Sequence, residues 1–221
     1  MELNKYIDHT ILKAVATDEE IKKVCAEAKE YNFFSVCINS ANVELVAKEL
    51  KGTDVKVCSV IGFPLGAMTK ESKIFEAKDA VAKGADEIDM VINVGALKSG
   101  RVDYVRNEIA EIKKAIGDKV LKVIIETCYL TDAEKALVSK LSVEAKADFV
   151  KTSTGFGTGG ATFEDVQIMK DAIEGKAKIK ASGGVRDFEM AKKYIDMGVS
   201  RLGASSGIKI INGEKVAEGE Y

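Results

Sequence analysis

The sequence predicts a closed (β/α)8 barrel, the TIM-barrel architecture, as a single α/β domain over residues 1–221 with a short C-terminal tail. Short β-type runs alternate with amphipathic helical segments along the chain, which indicates parallel strands. Eight such units fit within 221 residues, at the compact end of the size range of this fold. An open doubly wound sheet is the rival, but the nucleotide fingerprint G-x-G-x-x-G does not follow the first strand.

The predicted elements follow from local patterns. Capping boxes at Thr17 and Thr131, each with a glutamate three residues later, predict two helix starts. Glycines predict the ends of three other helices. The predicted strands cover 6–10, 33–39, 55–62, 86–93, 120–127, 147–150, a run through Lys180, and 200–204. The seven predicted helices begin at Thr17 and Thr131 or cover 41–50, 69–83, 102–116, 162–173 and 187–197.

Composition excludes several classes of function. Apolar residues make up 46% of the chain and charged residues 31%, which is ordinary for a soluble protein. With 33 basic and 35 acidic residues well mixed, no nucleic-acid partner is expected, so a local site must hold any phosphate ligand. No apolar run approaches the roughly 20 residues that span a bilayer. With no signal peptide and four scattered cysteines, we expect a cytoplasmic protein with free thiols and no bound metal.

Two lysines are expected where strands end. Lys151 lies in FVKTSTGFGTGG, and Lys180 lies in KIKASGG, where each strand runs into a loop of glycine and hydroxyl residues. Side chains alternate along a strand, so Asp89 faces inward on the fourth strand with Glu87. Inward residues of alternate strands form common layers, which places Asp89 in one layer with Lys151. The plainer alternatives are a lysine that reaches solvent and an internal ion pair that stabilises the barrel.

The two lysines suggest covalent chemistry. Lys180 is expected about 5 Å from Lys151 across neighbouring strands. Two ammonium groups at that distance repel, so the pKa of at least one should fall. A neutral lysine can form a Schiff base with a carbonyl compound. We therefore predict a Schiff base on Lys151, with Asp89 and Lys180 moving protons.

A phosphate site is predicted at the same end of the barrel. Barrels often bind phosphate in the loops after strands seven and eight. Here those loops contain residues 182–184 and 203–207, in which glycines let the backbone approach and serine hydroxyls add hydrogen-bond donors.

Further residues near the strand ends are weaker candidates. Asp8 and Thr10 share the inward face of the first strand, whereas His9 faces the helices as a structural residue. Cys37 faces inward on the second strand and is expected to line the pocket. Glu126 is expected on the inward face of the fifth strand with Lys122, where it pairs ions. Arg186 either serves the anion or caps a helix, and the pattern does not separate these alternatives.

Seven stretches resemble the deoxyribose-phosphate aldolase family. The motifs KTSTGF and ASGG are the most specific of them, and the matching stretches extend over nearly the whole chain. They are IDHTILK at 7–13, GFPLGAMT at 62–69, ADEIDMVINVGALKSG at 85–100, IIETCYLT at 124–131, DFVKTSTGFGTGGAT at 148–162, IKASGGVRD at 179–187 and RLGASSG at 201–207.

The resemblance implies an enzyme of deoxyribonucleotide catabolism that needs no metal or organic cofactor. The implied reaction is reversible cleavage of 2-deoxy-D-ribose 5-phosphate to acetaldehyde and D-glyceraldehyde 3-phosphate. By motif, Lys151 matches the Schiff-base lysine, Lys180 the lysine that lowers its pKa, and Asp89 the proton-relay acid. Tyr221 loosely matches a C-terminal tyrosine that helps to protonate the enamine.

The resemblance also implies the substrate-binding residues and a homodimer or higher homo-oligomer. Ala14 departs from a common proline, which should alter only loop stiffness, and Phe156 departs from a lysine that some members carry near the phosphate. The predicted substrate-binding residues are Asp8, Thr10, Cys37, Thr152, Gly155, Gly183, Gly184, Ser205 and Ser206.

Two alternative functions remain open at this stage. The first is another Schiff-base barrel aldolase or a transaldolase with a different acceptor. The second is a non-catalytic phosphosugar-binding barrel in which the lysines only clamp the ligand.

Overall fold

Eight parallel strands close into a barrel in which each strand pairs with its neighbours in chain order, as the alternation predicts. The computed structural model describes residues 2–214. The strands are β1 (Ile7–Ile11), β2 (Ser35–Asn39), β3 (Lys56–Ile61), β4 (Glu87–Val91), β5 (Val120–Ile124), β6 (Phe149–Lys151), β7 (Lys178–Ser182) and β8 (Arg201–Ala204).

The described residues contain nine α-helices, two more than predicted. The two additions, α4 and α9, are five residues long and follow the ends of β4 and β8. None of the helices in residues 2–214 is long and apolar enough to span a bilayer. The helices are α1 (Asp18–Glu30), α2 (Val43–Glu49), α3 (Lys70–Ala82), α4 (Val94–Lys98), α5 (Val102–Ile116), α6 (Asp132–Glu144), α7 (Phe163–Ile173), α8 (Phe188–Asp196) and α9 (Gly207–Ile211).

Both predicted capping boxes form. At the start of α1, Thr17 Oγ1 accepts a hydrogen bond from the Glu20 backbone N–H, and the Glu20 carboxylate accepts one from the Thr17 N–H. Thr131 and Glu134 do the same for α6. These contacts satisfy backbone donors that the first turn of a helix leaves without partners.

The main apolar core lies between the barrel and the helices. Ile88 and Met90 on β4 point outward into this core and are fully buried, as the alternation predicts. The opposite face of the strands lines the barrel interior, where Glu87 and Asp89 are also buried. Since a charge inside a protein is costly unless it is paired, the interior needs cations from other strands.

The fifth strand is shorter than predicted, and this corrects the placement of Glu126. β5 ends at Ile124, and a short 3-10 helix follows at Thr127–Tyr129. Glu126 has φ of 55° and ψ of 69°, the left-handed conformation. Because the alternation of side chains holds only in extended backbone, it does not determine where Glu126 points.

Candidate active site

Asp89 lies in the barrel interior between the two predicted site lysines, Lys151 and Lys180. Its Oδ2 accepts from Lys151 Nζ at 2.8 Å and from Lys180 Nζ at 2.7 Å. Lys151 and Lys180 are register partners on neighbouring strands. The predicted grouping of these three residues is confirmed, and at most 3% of any of them is exposed.

A third lysine, Lys122 on β5, completes the surroundings of Asp89. Its Nζ lies 2.8 Å from Asp89 Oδ1 and 2.5 Å from Glu87 Oε2. Lys122 faces inward on the fifth strand, as predicted, but its contact with Asp89 was not expected. A signal was present, because a lysine between the apolar residues Leu121 and Val123 faces the interior of a barrel by alternation.

The first and last strands, which pair where the barrel closes, supply the remaining charges. Asp8 is on β1. Its Oδ2 lies 2.6 Å from Lys180 Nζ, and its Oδ1 accepts a hydrogen bond from Arg201 at 2.8 Å. Arg201 on β8 also donates to Glu87 Oε1 at 2.9 Å. Its guanidinium carbon lies 3.1 Å from the centre of the Phe34 ring. Sequence reasoning did not single out Arg201.

The electrostatics differ from the expectation for a pair of lysines. Burial disfavours the charge of Lys180, but Asp8 and Asp89 outweigh it and raise the pKa of Lys180 above its ordinary value. The predicted fall therefore does not occur at Lys180, because repulsion between two lysines is only one of the interactions in the site. Burial likewise acts against the charge of Asp89, yet Lys122, Lys151 and Lys180 hold its pKa well below the ordinary value.

The ion-paired cluster has unequal numbers of charges. Its carboxylates are Asp8, Glu87 and Asp89, and its cations are Lys122, Lys151, Lys180 and Arg201. When all seven groups are ionised, four positive charges face three negative charges. Loss of one proton from a lysine leaves the cluster electrically balanced.

One wall of the interior is apolar. Leu12, Cys37, Cys58 and Val60 form a small cluster separate from the main core, and Phe63 packs against it. A hydrogen bond from Cys58, with help from Lys180, lowers the pKa of Cys37 to about 7 despite its burial. Cys37 faces the barrel interior, as predicted, and its Sγ lies within 4.8 Å of an oxygen of Asp89.

The same wall contains the only group of three candidate metal ligands found in the described residues. The Sγ atoms of Cys37 and Cys58 and an oxygen of Asp89 all lie within 4.8 Å of one another. The Asp89 oxygens already accept from three ammonium groups, which oppose a further cation. The site therefore suits a cation poorly.

The open end of the barrel holds part of the predicted substrate site. Thr10, Gly155, Ser205 and Ser206 line one cavity of about 690 Å³ together with Phe156. The Thr10 hydroxyl donates to the backbone oxygen of Asp8 at 2.8 Å.

The glycines after β7 line a different cavity. Gly183, Gly184 and Arg186 border one of about 540 Å³. Gly183 has φ of 79°, and an added Cβ would lie 3.1 Å from Gly160 Cα, so glycine suits this close approach of two loops.

The remaining predicted residues have other partners or lie elsewhere. Thr152 Oγ1 donates to Ser182 O and accepts from Ser182 N, both at 3.1 Å, so this hydroxyl joins the ends of β6 and β7. His9 Nε2 lies 2.7 Å from Glu27 on α1, in agreement with its predicted structural position. Tyr221 lies outside the described residues.

The arrangement of lysines and one carboxylate inside the mouth of a barrel fits an enzyme that forms a Schiff base. A family model for DeoC/LacD family aldolases matches residues 3–213. The chain belongs to this aldolase family. Membership favours a catalytic protein over the non-catalytic binding barrel.

Similar aldolases cover the chain from end to end. Deoxyribose-phosphate aldolase of Streptococcus gordonii is 58% identical, with all of both chains covered. The enzyme of the same name from Brevibacillus brevis is 57% identical over the same extent.

Solved structures of aldolases share the fold. A structure described as "QR15, an Aldolase" has a TM-score of 0.91 and 42% identity, covering 95% of this chain and 94% of its own. A tetrameric deoxyribose phosphate aldolase from Aeropyrum pernix has a TM-score of 0.87 and 32% identity, covering 95% of this chain and 89% of its own.

Proposed function

We propose that this aldolase reversibly cleaves 2-deoxy-D-ribose 5-phosphate to acetaldehyde and D-glyceraldehyde 3-phosphate, through a Schiff base on Lys151. The observation that best supports this proposal is the position of Asp89 Oδ2, which lies 2.8 Å from Lys151 Nζ and 2.7 Å from Lys180 Nζ. This geometry supports Lys151 as the nucleophile, with Lys180 as a cation beside it and Asp89 as the carboxylate that both lysines contact. Two relatives with 57–58% identity are named deoxyribose-phosphate aldolase, which supports this choice of substrate.

The covalent steps use Lys151 as an electron sink. Its neutral amine attacks the aldehyde carbon of the open-chain sugar, and the carbonyl oxygen leaves as water to give an iminium ion. Loss of the proton from the hydroxyl on the third carbon breaks the bond between the second and third carbons. The electron pair moves toward the iminium nitrogen and forms an enamine, while D-glyceraldehyde 3-phosphate leaves. Protonation of the enamine carbon and hydrolysis then release acetaldehyde and free Lys151.

The charged groups around Lys151 support these proton transfers. The reaction needs Lys151 as the free amine, and the four cations and three carboxylates of the cluster are then balanced in charge. Although burial acts against its charge, Asp8 and Asp89 raise the pKa of Lys180 and keep it cationic beside Lys151. Asp89 accepts from both lysines and relays protons between them.

The two ends of the substrate fit different parts of the site. The apolar wall of Leu12, Cys37 and Val60 suits the two-carbon fragment that becomes acetaldehyde. The cavity bordered by Gly155, Ser205 and Ser206 suits the phosphate, because backbone N–H groups and hydroxyls are its usual donors.

Reductive trapping tests the proposal. The protein is incubated with acetaldehyde and borohydride, digested, and mapped by mass spectrometry. We expect an ethyl group on Lys151, and no adduct there in Lys151→Met. An adduct confined to another lysine, or none at all, contradicts the mechanism.

A substrate comparison separates this reaction from that of another Schiff-base aldolase or a transaldolase. We expect acetaldehyde release from 2-deoxy-D-ribose 5-phosphate and no cleavage of ketose phosphates. Lys178→Met provides a matched control, because Lys178 is an exposed lysine on the same strand as Lys180. This variant should retain wild-type turnover.

We further propose that the protein is a cytoplasmic homo-oligomer. Four free thiols, three of them buried, suit a reducing compartment. The Aeropyrum pernix relative is described as tetrameric. Light scattering coupled to size exclusion would show a mass above that of one chain.

A further inference from the structure

Glu126 is a buried carboxylate that the proposed chemistry does not use. It lies just beyond the end of β5 and is 3% exposed. Its backbone is left-handed, with φ of 55°, a conformation that residues other than glycine rarely adopt. Such a conformation persists only where the surroundings hold it, and this is common near functional sites.

The carboxylate of Glu126 binds the loop that follows Lys151. Oε1 accepts from the Thr154 backbone N–H at 3.1 Å, and Oε2 accepts a short hydrogen bond from the Thr154 hydroxyl. The same hydroxyl accepts from the Phe156 N–H at 3.0 Å. The Glu126 side chain thus holds Thr154 directly through two hydrogen bonds and Phe156 indirectly through the Thr154 hydroxyl.

Packing brings the loop against this carboxylate one residue further along. A Cβ added to Gly157 would lie 2.8 Å from Cys128 Sγ and 3.3 Å from Glu126 Cδ. The backbone at Gly157 therefore passes closer to Cys128 than a larger residue would allow, with Glu126 beside the same contact. Hydrogen bonds and packing together determine the course of residues 154–157.

We propose that Glu126 is a positioning residue for the phosphate end of the substrate site. Gly155 and Phe156 lie in the loop that Glu126 holds, and they line the same cavity as Ser205 and Ser206. The inference rests on the proposed function, since it assigns this cavity to the distal end of the sugar phosphate. Glu126 acts through the loop that it holds.

The loop needs such an anchor because of its composition. Residues 155–160 contain four glycines, which have more conformational freedom than any other residue. Without the anchor, binding of the phosphate must order the loop, and this cost lowers affinity. Acetaldehyde bound at Lys151 does not extend to the loop and is free of that cost.

Two variants and two substrates test the inference. Glu126→Ala removes both acceptors, whereas Glu126→Gln still accepts from the Thr154 N–H and can donate to its hydroxyl. We expect KM for 2-deoxy-D-ribose 5-phosphate to rise roughly 10- to 100-fold in Glu126→Ala, as for loss of a hydrogen bond to a charged group. KM for unphosphorylated 2-deoxyribose should change less than about threefold, and Glu126→Gln should behave like the wild type with both substrates.

If Glu126→Ala does not fold, a substitution of its hydrogen-bond partner tests the same contact. Thr154→Val removes the hydroxyl at nearly constant volume and should raise KM for the phosphorylated sugar selectively. Equal changes of KM for the two sugars, or no change, would overturn the inference, as would a Glu126→Gln variant as impaired as Glu126→Ala. Trapping of acetaldehyde on Lys151 should survive in every variant. Absence of trapping in the wild type contradicts the proposed function instead, so the two failures are distinguishable.

Discussion

Lys122 Nζ lies 2.8 Å from Asp89 Oδ1, on the opposite carboxylate oxygen from the one that Lys151 and Lys180 share. Asp89 therefore accepts from three ammonium groups at once. Lys122 also donates to Glu87, so it joins the two inward carboxylates of β4. A residue that makes no direct contact with Lys151 thus takes part in setting the charge around it.

Removing Lys122 should affect stability and activity together. Lys122→Met leaves Asp89 and Glu87 with one cation fewer in a buried site, which costs about 3–5 kcal/mol of unfolding free energy. It also removes the excess positive charge of the cluster, so we expect turnover to fall at neutral pH and recover in part at higher pH. Urea unfolding and a pH–activity profile measure the two effects, with exposed Lys178→Met as the control. Unchanged stability would contradict the assigned role.

Gly203 should tolerate no larger residue. An added Cβ would lie 2.3 Å from Ser182 Oγ and 3.3 Å from Lys180 Cε. Gly203→Ala should therefore displace Lys180, lower kcat, and cost about 1–3 kcal/mol in stability through overpacking. Gly95→Ala is the matched control, because its nearest neighbouring atom is 3.5 Å from the added Cβ and it lies in α4. Wild-type kcat in Gly203→Ala would rule out this packing constraint.

A buried ion pair outside the barrel anchors the end of β4. Lys73 Nζ donates to Glu108 Oε1 and to Val91 O, both at 2.8 Å, and Glu108 Oε2 accepts from the Asn93 N–H. Lys73→Met leaves a buried unpaired charge and should cost about 3–5 kcal/mol.

The double variant Lys73→Met/Glu108→Leu separates charge from hydrogen bonding. It should recover most of the loss and leave a deficit of about 1–3 kcal/mol, because two backbone groups lose their partners. Urea unfolding of the single and double variants measures both values. An additive double variant would show that the two side chains are not coupled.

Two cysteines should titrate far apart. A hydrogen bond from Cys58 lowers the pKa of Cys37 to about 7, whereas burial raises that of Cys25 to about 11. Thiolate absorbance lost in Cys37→Ser should have a midpoint near 7, and that lost in Cys25→Ser a midpoint near 11. Similar midpoints in the two difference curves would contradict the assignment.

The same shift predicts a pH dependence of stability. The folded-state pKa of Cys37 is lower than the value of about 8.5 for an unfolded thiol. Its contribution to the free energy of unfolding is therefore complete above about pH 8.5 and is lost as pH falls through about 7. Cys37→Ser should flatten this part of the stability curve, as measured by urea unfolding at several pH values.

The alternation of side chains along strands predicted much of the site. Lys151, Lys180 and Asp89 each lie within a buried strand whose opposite face is apolar, so a period of two residues indicates which way they point. The same argument failed at Glu126, because β5 ends before it and its backbone turns left-handed. Its binding to Thr154 depends on a loop conformation that no local pattern of residues specifies.

Residue patterns predict the barrel and the inward faces of its strands, and motifs along the chain indicate the family. The electrostatics of the site depend on contacts that form only when the barrel closes. Closure of the barrel brings Asp8 and Arg201, on the first and last strands, next to Lys180. Asp8 and Asp89 together then raise the pKa of Lys180, where repulsion from Lys151 considered alone implied a fall. The physical reason is that a buried charge responds to every charge around it, and these come from strands far apart in the chain.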